Sequence, residues 1–125
     1  MGKNPHEHWI LRRNKSVERE RDIEAWLRKR IKDLGGEFWK FTSPGRDGVP
    51  DRIAIFPDGR IVFVELKTER GRLSKVQAYV CKRLIDMHQQ VCIVFGMEGA
   101  REFLRDMKEA GIGSWIYGKG EGHEI

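Results

Sequence analysis

Thirteen residues separate Pro50-Asp51 from Glu65-Leu66-Lys67, and that interval has room for one tight hairpin. Asp51-Arg52-Ile53-Ala54-Ile55-Phe56 is β-branched and apolar and predicts a buried strand. Pro57-Asp58-Gly59-Arg60 predicts the turn, with Pro setting φ and Gly supplying a positive φ. Ile61 to Lys67 predicts the returning strand, in which four apolar residues run directly into Glu65. Alternation along that strand puts Glu65 and Lys67 on one face and Leu66 on the other. If the reversal centres on Asp58, Asp51 lies opposite Glu65 and the three polar groups converge. A centre half a residue later places Asp51 opposite Leu66, and the slip turns its side chain away unless a bulge intervenes.

Two carboxylates and a lysine at the open end of a hairpin form a set suited to a hard cation. Mg²⁺ takes oxygen ligands and keeps much of its shell for water and phosphate, so one or two carboxylates suffice. Such an ion polarises a phosphodiester and acidifies a bound water. Asp51 and Glu65 are the expected ligands, with the Leu66 carbonyl a candidate third. Lys67 is the expected group for orienting water or offsetting charge on phosphate. The bland alternative is a surface hairpin with ordinary terminal charges. Charges that end a buried strand are usually paired or functional, which weighs against it. Pro57-Asp58 repeats the Pro-Asp dipeptide at the far end of the hairpin and is read as turn chemistry.

Ser43-Pro44-Gly45, Gly48-Val49-Pro50-Asp51, Glu65-Leu66-Lys67, Leu73-Ser74 and Gln77 occur in that order. This set resembles the VRR-NUC branch of the PD-(D/E)XK nucleases over roughly residues 18–96. The resemblance implies a single-domain α/β fold of restriction-endonuclease type, with a mixed central sheet flanked by helices. It also implies a nuclease using Mg²⁺ or Mn²⁺, of a small stand-alone type from a phage or bacterium. Members of this size look like homodimeric endonucleases acting on branched DNA such as Holliday junctions. The alternatives kept open are a flap or nicking nuclease working with a replication or repair helicase, and a non-cutting DNA-binding module. A metal-independent RNA-processing or structural protein is a third class, and the lack of a catalytic His or Tyr cluster argues against its RNA version.

Upstream, the chain predicts a helix from Ser16 to Leu34, with Ile23, Trp26, Leu27, Ile31 and Leu34 on one face. Ser16 is the expected N-cap, and Gly35-Gly36 the stop. Glu20 and Glu24 lie four apart on one face. The family's first-helix glutamate maps onto Glu24 by its distance from Leu34-Gly35, with Glu20 the second choice. Gln77 falls in the first turn of a helix expected over Ser74 to Gln89, and the resemblance implies a role at the active site. Arg72 and Lys75 suit phosphate contacts at the same end, and Lys40, Ser43 and Arg46 complete the candidate DNA-binding set.

The remainder predicts strands at Glu37–Phe41, Val91–Phe95 and Trp115–Tyr117 and a helix at Ala100–Ala110, in the order α-β-β-β-α-β-α-β. Residues 1–15 read as a basic N-terminal segment, 16–117 as the nuclease domain and 118–125 as a tail. A net charge of +5 suits a polyanionic partner, and residues 1–34 hold ten Lys or Arg against six Asp or Glu. Cys81 and Cys92 fall on apolar faces and are expected to be free. His6-Glu7-His8 lacks a third ligand. No signal peptide or membrane-length apolar run is present, so a cytoplasmic setting, in a bacterial or phage-infected cell, is expected.

Overall fold

The computed structural model describes residues 19–109, 113–119 and 123–124. The basic segment at 1–15 and the Ser16 cap lie outside these residues. The first helix among the described residues, α1, spans Glu20–Asp33 and starts from Arg19 in extended conformation, with no side-chain cap bond. Its N-cap falls three residues later than the Ser16 that the sequence pattern suggested. Ile23, Leu27 and Ile31 are wholly buried along it, one stripe at helical spacing. Each such aliphatic side chain contributes about 2 kcal/mol by leaving water.

Strands β1 (Glu37–Lys40), β2 (Arg52–Ile55) and β3 (Ile61–Lys67) follow as an antiparallel meander. Then come α2 (Lys75–Asp86), β4 (Gln90–Phe95), α3 (Gly96–Lys108), β5 (Trp115–Tyr117) and β6 (His123–Glu124). The sheet order follows the chain from β1 to β6. β4 is parallel to β3, β5 is parallel to β4, and β6 is antiparallel to β5. This is the expected mixed α/β sheet. Residues 118–125, expected as a tail, supply β6, so β5 is an interior strand.

The core lies on the sheet face carrying Val62, Val64 and Leu66 of β3 with Cys92 and Val94 of β4, and α1 and α3 cover it. α2 packs on β4 and buries Val80 and Cys81. By alternation, Phe63, Glu65 and Lys67 face α2 rather than α1 and α3. The N-termini of α1 and α2 and the C-terminal ends of β1, β3 and β4 therefore gather at one end of the sheet.

α3 begins at Gly96, ahead of the Ala100 start suggested by sequence, because Gly96 and Gly99 look like helix breakers. Their positions follow from crowding. A Cβ on Gly99 would sit 2.8 Å from the Tyr117 carbonyl oxygen. Glycine there lets the helix approach the end of β5 closely, at a cost in helix propensity. The Tyr117 hydroxyl donates to Asp106 Oδ2 at 2.8 Å and ties the same pair of elements. At the hairpin turn, Arg60 pairs with Asp58 at 2.7 Å, donates to the Met107 carbonyl at 2.8 Å and stacks on Phe56. Asp58 is thus turn chemistry, as expected.

His88 ends α2 with a φ of 66° and is the non-glycine residue in the left-handed region among the described residues. Its N–H and that of Gln89 return to the Ile85 and Leu84 carbonyls. Left-handed backbone strains a residue bearing a Cβ, and glycine relieves that strain at some cost in unfolded-chain entropy. His88→Gly is expected to raise unfolding free energy by about 0.5–1 kcal/mol, measured by urea denaturation at constant m.

Candidate active site

The β2–β3 ladder pairs Arg52 with Val64, Ile53 with Phe63, Ala54 with Val62 and Ile55 with Ile61. The reversal therefore centres on Asp58, and one further step places Asp51 opposite Glu65. This is the register in which the three polar groups share a face. On its other side, Asp51 continues the ladder by accepting the Phe41 N–H at 2.8 Å. Its carboxylate is held at both oxygens: Oδ1 accepts the Leu66 N–H at 3.3 Å, and Oδ2 lies 3.3 Å from the Arg52 guanidinium.

Glu65 is 2% exposed. Its Oε2 lies 3.6 Å from Lys67 Nζ and accepts from Gln77 Nε2 at 3.4 Å, while its buried Oε1 has no hydrogen-bond partner. Burial pushes its pKa up to about 7, the charge of Asp51 adds to that, and Lys67 opposes it. Leu66 turns its side chain into the core.

The carboxylate that α1 brings to this end is Glu20, not Glu24. Glu20's carboxyl is raised first by burial, then by the charge of Asp51 and a hydrogen bond to it, with Arg52 and Lys67 pulling the other way. Glu24 instead engages Arg28 through both oxygens, at 2.8 and 3.1 Å. The difference follows from the helix start. With α1 beginning at Glu20, that residue lies in the first turn at the sheet end, and Glu24 is one turn farther along. A local signal was available: Arg28 stands four residues after Glu24, the favourable orientation for an ion pair, whereas Glu20 is followed at that spacing by another glutamate.

The first turn of α2 meets the site from the opposite face. Ser74 caps it: its Oγ accepts the Gln77 N–H at 3.1 Å, and Gln77 Oε1 accepts the Ser74 N–H at 2.9 Å. Sequence reasoning placed Gln77 here but overlooked this reciprocal cap, although Ser-x-x-Gln is its signature. The loop before Asp51 rests on the same turn. Gly48 has a φ of +85°, and a Cβ there would lie 2.8 Å from the Val76 carbonyl oxygen.

The candidate phosphate-contacting residues surround this end. Lys40 closes β1 opposite Arg52, and the Ser43–Arg46 turn follows it. Arg72 and Lys75 flank the Ser74 cap and are exposed. Cys81 and Cys92 are free and buried. No three or more His, Cys, Asp or Glu side chains among the described residues are gathered as a self-sufficient metal cluster. An ion here would draw on one or two carboxylates, backbone and water.

No protein-family model matches the chain. A protein named Putative nuclease p44, from Acyrthosiphon pisum secondary endosymbiont phage 1, is 40% identical over 76 residues, covering 61% of this chain and 82% of that protein. A solved structure described as a VRR_NUC domain superposes with a TM-score of 0.65 at 25% identity, covering 71% of this chain and 97% of that one. The fold is that of the PD-(D/E)XK nucleases, with Pro50-Asp51 and Glu65-x-Lys67 at its site end. Within that class, the chain belongs to the VRR-NUC family. No helix among the described residues is long and apolar enough to cross a membrane.

Glu65 makes the stability of the metal-free protein depend on pH. The folded protein holds its proton up to about pH 7, while an unfolded chain releases it near 4.5. The favourable contribution is complete below 4.5 and is lost as pH rises through 7. In EDTA at pH 8, Glu65→Gln is expected to be more stable than wild type by up to about 3 kcal/mol. The gap should close toward pH 4.5, as read by thermal or urea unfolding across the range.

Proposed function

We propose that this chain is a metal-dependent DNA endonuclease that hydrolyses phosphodiester bonds in branched DNA such as Holliday junctions. The observation carrying the reading is Glu65 Oε1, a buried carboxylate oxygen without a hydrogen-bond partner, opposite Asp51 in the hairpin. A buried acceptor of this kind is costly unless a ligand engages it. The available donors, Asp51, Glu65 and the Leu66 carbonyl, are all hard oxygens, which suits Mg²⁺ or Mn²⁺. Those residues would hold the ion, which when bound supplies Lewis acidity toward the phosphate and toward a water.

The chain's own groups do the rest. Lys67, beside Glu65, orients the attacking water or offsets charge on the phosphate. Glu20, whose carboxyl feels the charge of Asp51, is the first-helix carboxylate of this reading in place of Glu24. Gln77 braces Glu65. Arg72, Lys75, Lys40, Ser43 and Arg46 are available to contact the backbone around the scissile phosphate. Branched-DNA selectivity and a homodimer belong to the same reading. A four-way junction has two-fold character, and a two-fold dimer would offer two sites to opposed strands. A helicase partner in a bacterial or phage-infected cell would fit such work, and p44 is a phage protein. Two carboxylates beside a phosphate path weigh against a module that only binds.

Linear duplex, flap, splayed-arm and four-way junction substrates, each incubated with EDTA, Mg²⁺ or Mn²⁺, test the reading. Metal-stimulated cleavage favouring the junction is expected, with Glu65→Ala and Lys67→Ala each slower by about 10²-fold or more. Glu20→Gln should fall markedly and Glu24→Gln should stay near wild type. Tight binding without cleavage in either metal would retire the assignment. A monomeric mass with bound junction would remove the dimer.

A further inference from the structure

We infer that the groove between α1 and the outer edge of β1 is a subsite for an unpaired nucleotide of the DNA, its base stacked on Trp39 and its phosphate held by Arg28 and Lys32. The inference rests on the DNA reading above. A cavity of about 550 Å³ lies there, lined by Arg28 and Lys32 of α1, the Gly35-Gly36 turn, and Glu37 and Trp39 of β1. That volume is ordinary for a small-ligand site. β1 ends the sheet order, so its outer edge has no partner strand among the described residues.

Trp39 is 54% exposed, although tryptophan is highly buried on average. Its ring is nevertheless held, because Nε1 donates to Glu37 Oε1 at 2.7 Å. The same bond occupies the carboxylate that lines the cavity. An indole exposed and oriented in this way offers a face on which a base of any kind can stack. Arg28 and Lys32 lie four apart on α1 and share a face. Arg28 meets Glu24 through Nη1 alone, so its other donors remain available. The Lys32 ammonium has no ion pair or hydrogen bond among the described residues.

The groove connects with the catalytic end. Trp39 pairs with Ile53 and Ile53 with Phe63, so the indole lies on the sheet face that carries Glu65. Phe41 bonds to Asp51, which puts Trp39 about 7 Å along the strand from the level of Asp51. Arg28 and Lys32 lie about 12 and 18 Å along α1 from Glu20. A DNA strand leaving the catalytic end along β1 therefore meets the ring first and Lys32 last. A base stacked within a duplex cannot reach the ring without being extruded, so the subsite selects nucleotides left unpaired at a branch or flap.

Fluorescence anisotropy of the full chain with labelled oligothymidine and with a blunt duplex of equal length, in EDTA at low salt, tests the subsite. Trp39→Ala is expected to bind oligothymidine about tenfold more weakly than wild type and the duplex within about twofold. Trp39→Phe, which keeps an aromatic face, should recover most of the loss. Lys32→Gln should reduce the salt dependence of oligothymidine binding by about 0.7 in log–log slope. An oligomer of abasic residues should bind wild type about tenfold more weakly than oligothymidine, a comparison that holds even if Trp39→Ala folds poorly. Equal losses on both DNAs, unchanged affinity in Trp39→Ala, or undiminished binding of the abasic oligomer overturns the subsite. So does a dimeric mass that becomes monomeric in Trp39→Ala, since a second copy would then cover the groove. Trp39-dependent binding in a protein that cuts no DNA with Mg²⁺ or Mn²⁺ keeps the subsite and retires the nuclease; cleavage with Trp39-independent binding does the reverse.

Discussion

Everything at the site end of this fold answers to one awkward placement, a carboxylate buried in a strand whose inward neighbours are aliphatic. Removing a charged carboxylate from water costs several kcal/mol unless partners compensate, and where they are incomplete the group holds its proton. The partial compensation of Glu65 is visible in its surroundings. Lys67 and Gln77 supply two long contacts to one oxygen and leave the other without a partner, and burial pushes the pKa up to about 7. Asp51 and Glu20 bring further acidic groups to the same end and push in the same direction. The N-termini of all three described helices lie at that end, where their partial positive ends favour negative charge.

Much of this arrangement was legible in the residues. The hairpin could be drawn because Ile53 to Val64 combines apolar strand patterning with one Pro-Asp-Gly turn. The face shared by Asp51, Glu65 and Lys67 then reduced to a question of register. Only pairing geometry could settle that question, and it did so by centring the turn on Asp58. That Glu20 rather than Glu24 lies near Asp51 was not legible, for a different reason. Both lie on one side of the helix, so periodicity cannot separate them, and the deciding fact is where α1 begins. Ser16 looked like a better cap than Arg19, yet the helix starts without a side-chain cap at all. Local propensity reads Gly96 and Gly99 as breakers, whereas Gly99 packs closely against the end of β5 and Gly96 takes a positive φ beside Glu69. The strand β6 was invisible because two residues carry no periodicity.

The capping box at α2 shows how a device of secondary structure can serve chemistry. Ser74 and Gln77 would be explained fully as a helix start if Glu65 were absent. With Glu65 in reach, the same side chain has two obligations, and the one to the helix dictates the one to the carboxylate. The overlap conserves conformational freedom. The Gln77 rotamer is already fixed by the cap, so bracing Glu65 requires no further ordering of a flexible amide.

The hairpin register has a consequence for how the site comes into being. Asp51, Glu65, Lys67 and Gln77 all lie within one short stretch of chain, closed by a four-residue turn and a loop leading into a helix. Hairpins and helical turns form in microseconds, and short loops close at little entropic cost. The polar groups of the site therefore become neighbours through contacts that are local in sequence. Glu20 arrives from farther away, and the parallel pairing of β4 and β5 and the return of β6 require longer excursions of the chain, which are slower to close. The active end can thus be assembled early, with α1 and the far half of the sheet consolidating around it afterwards.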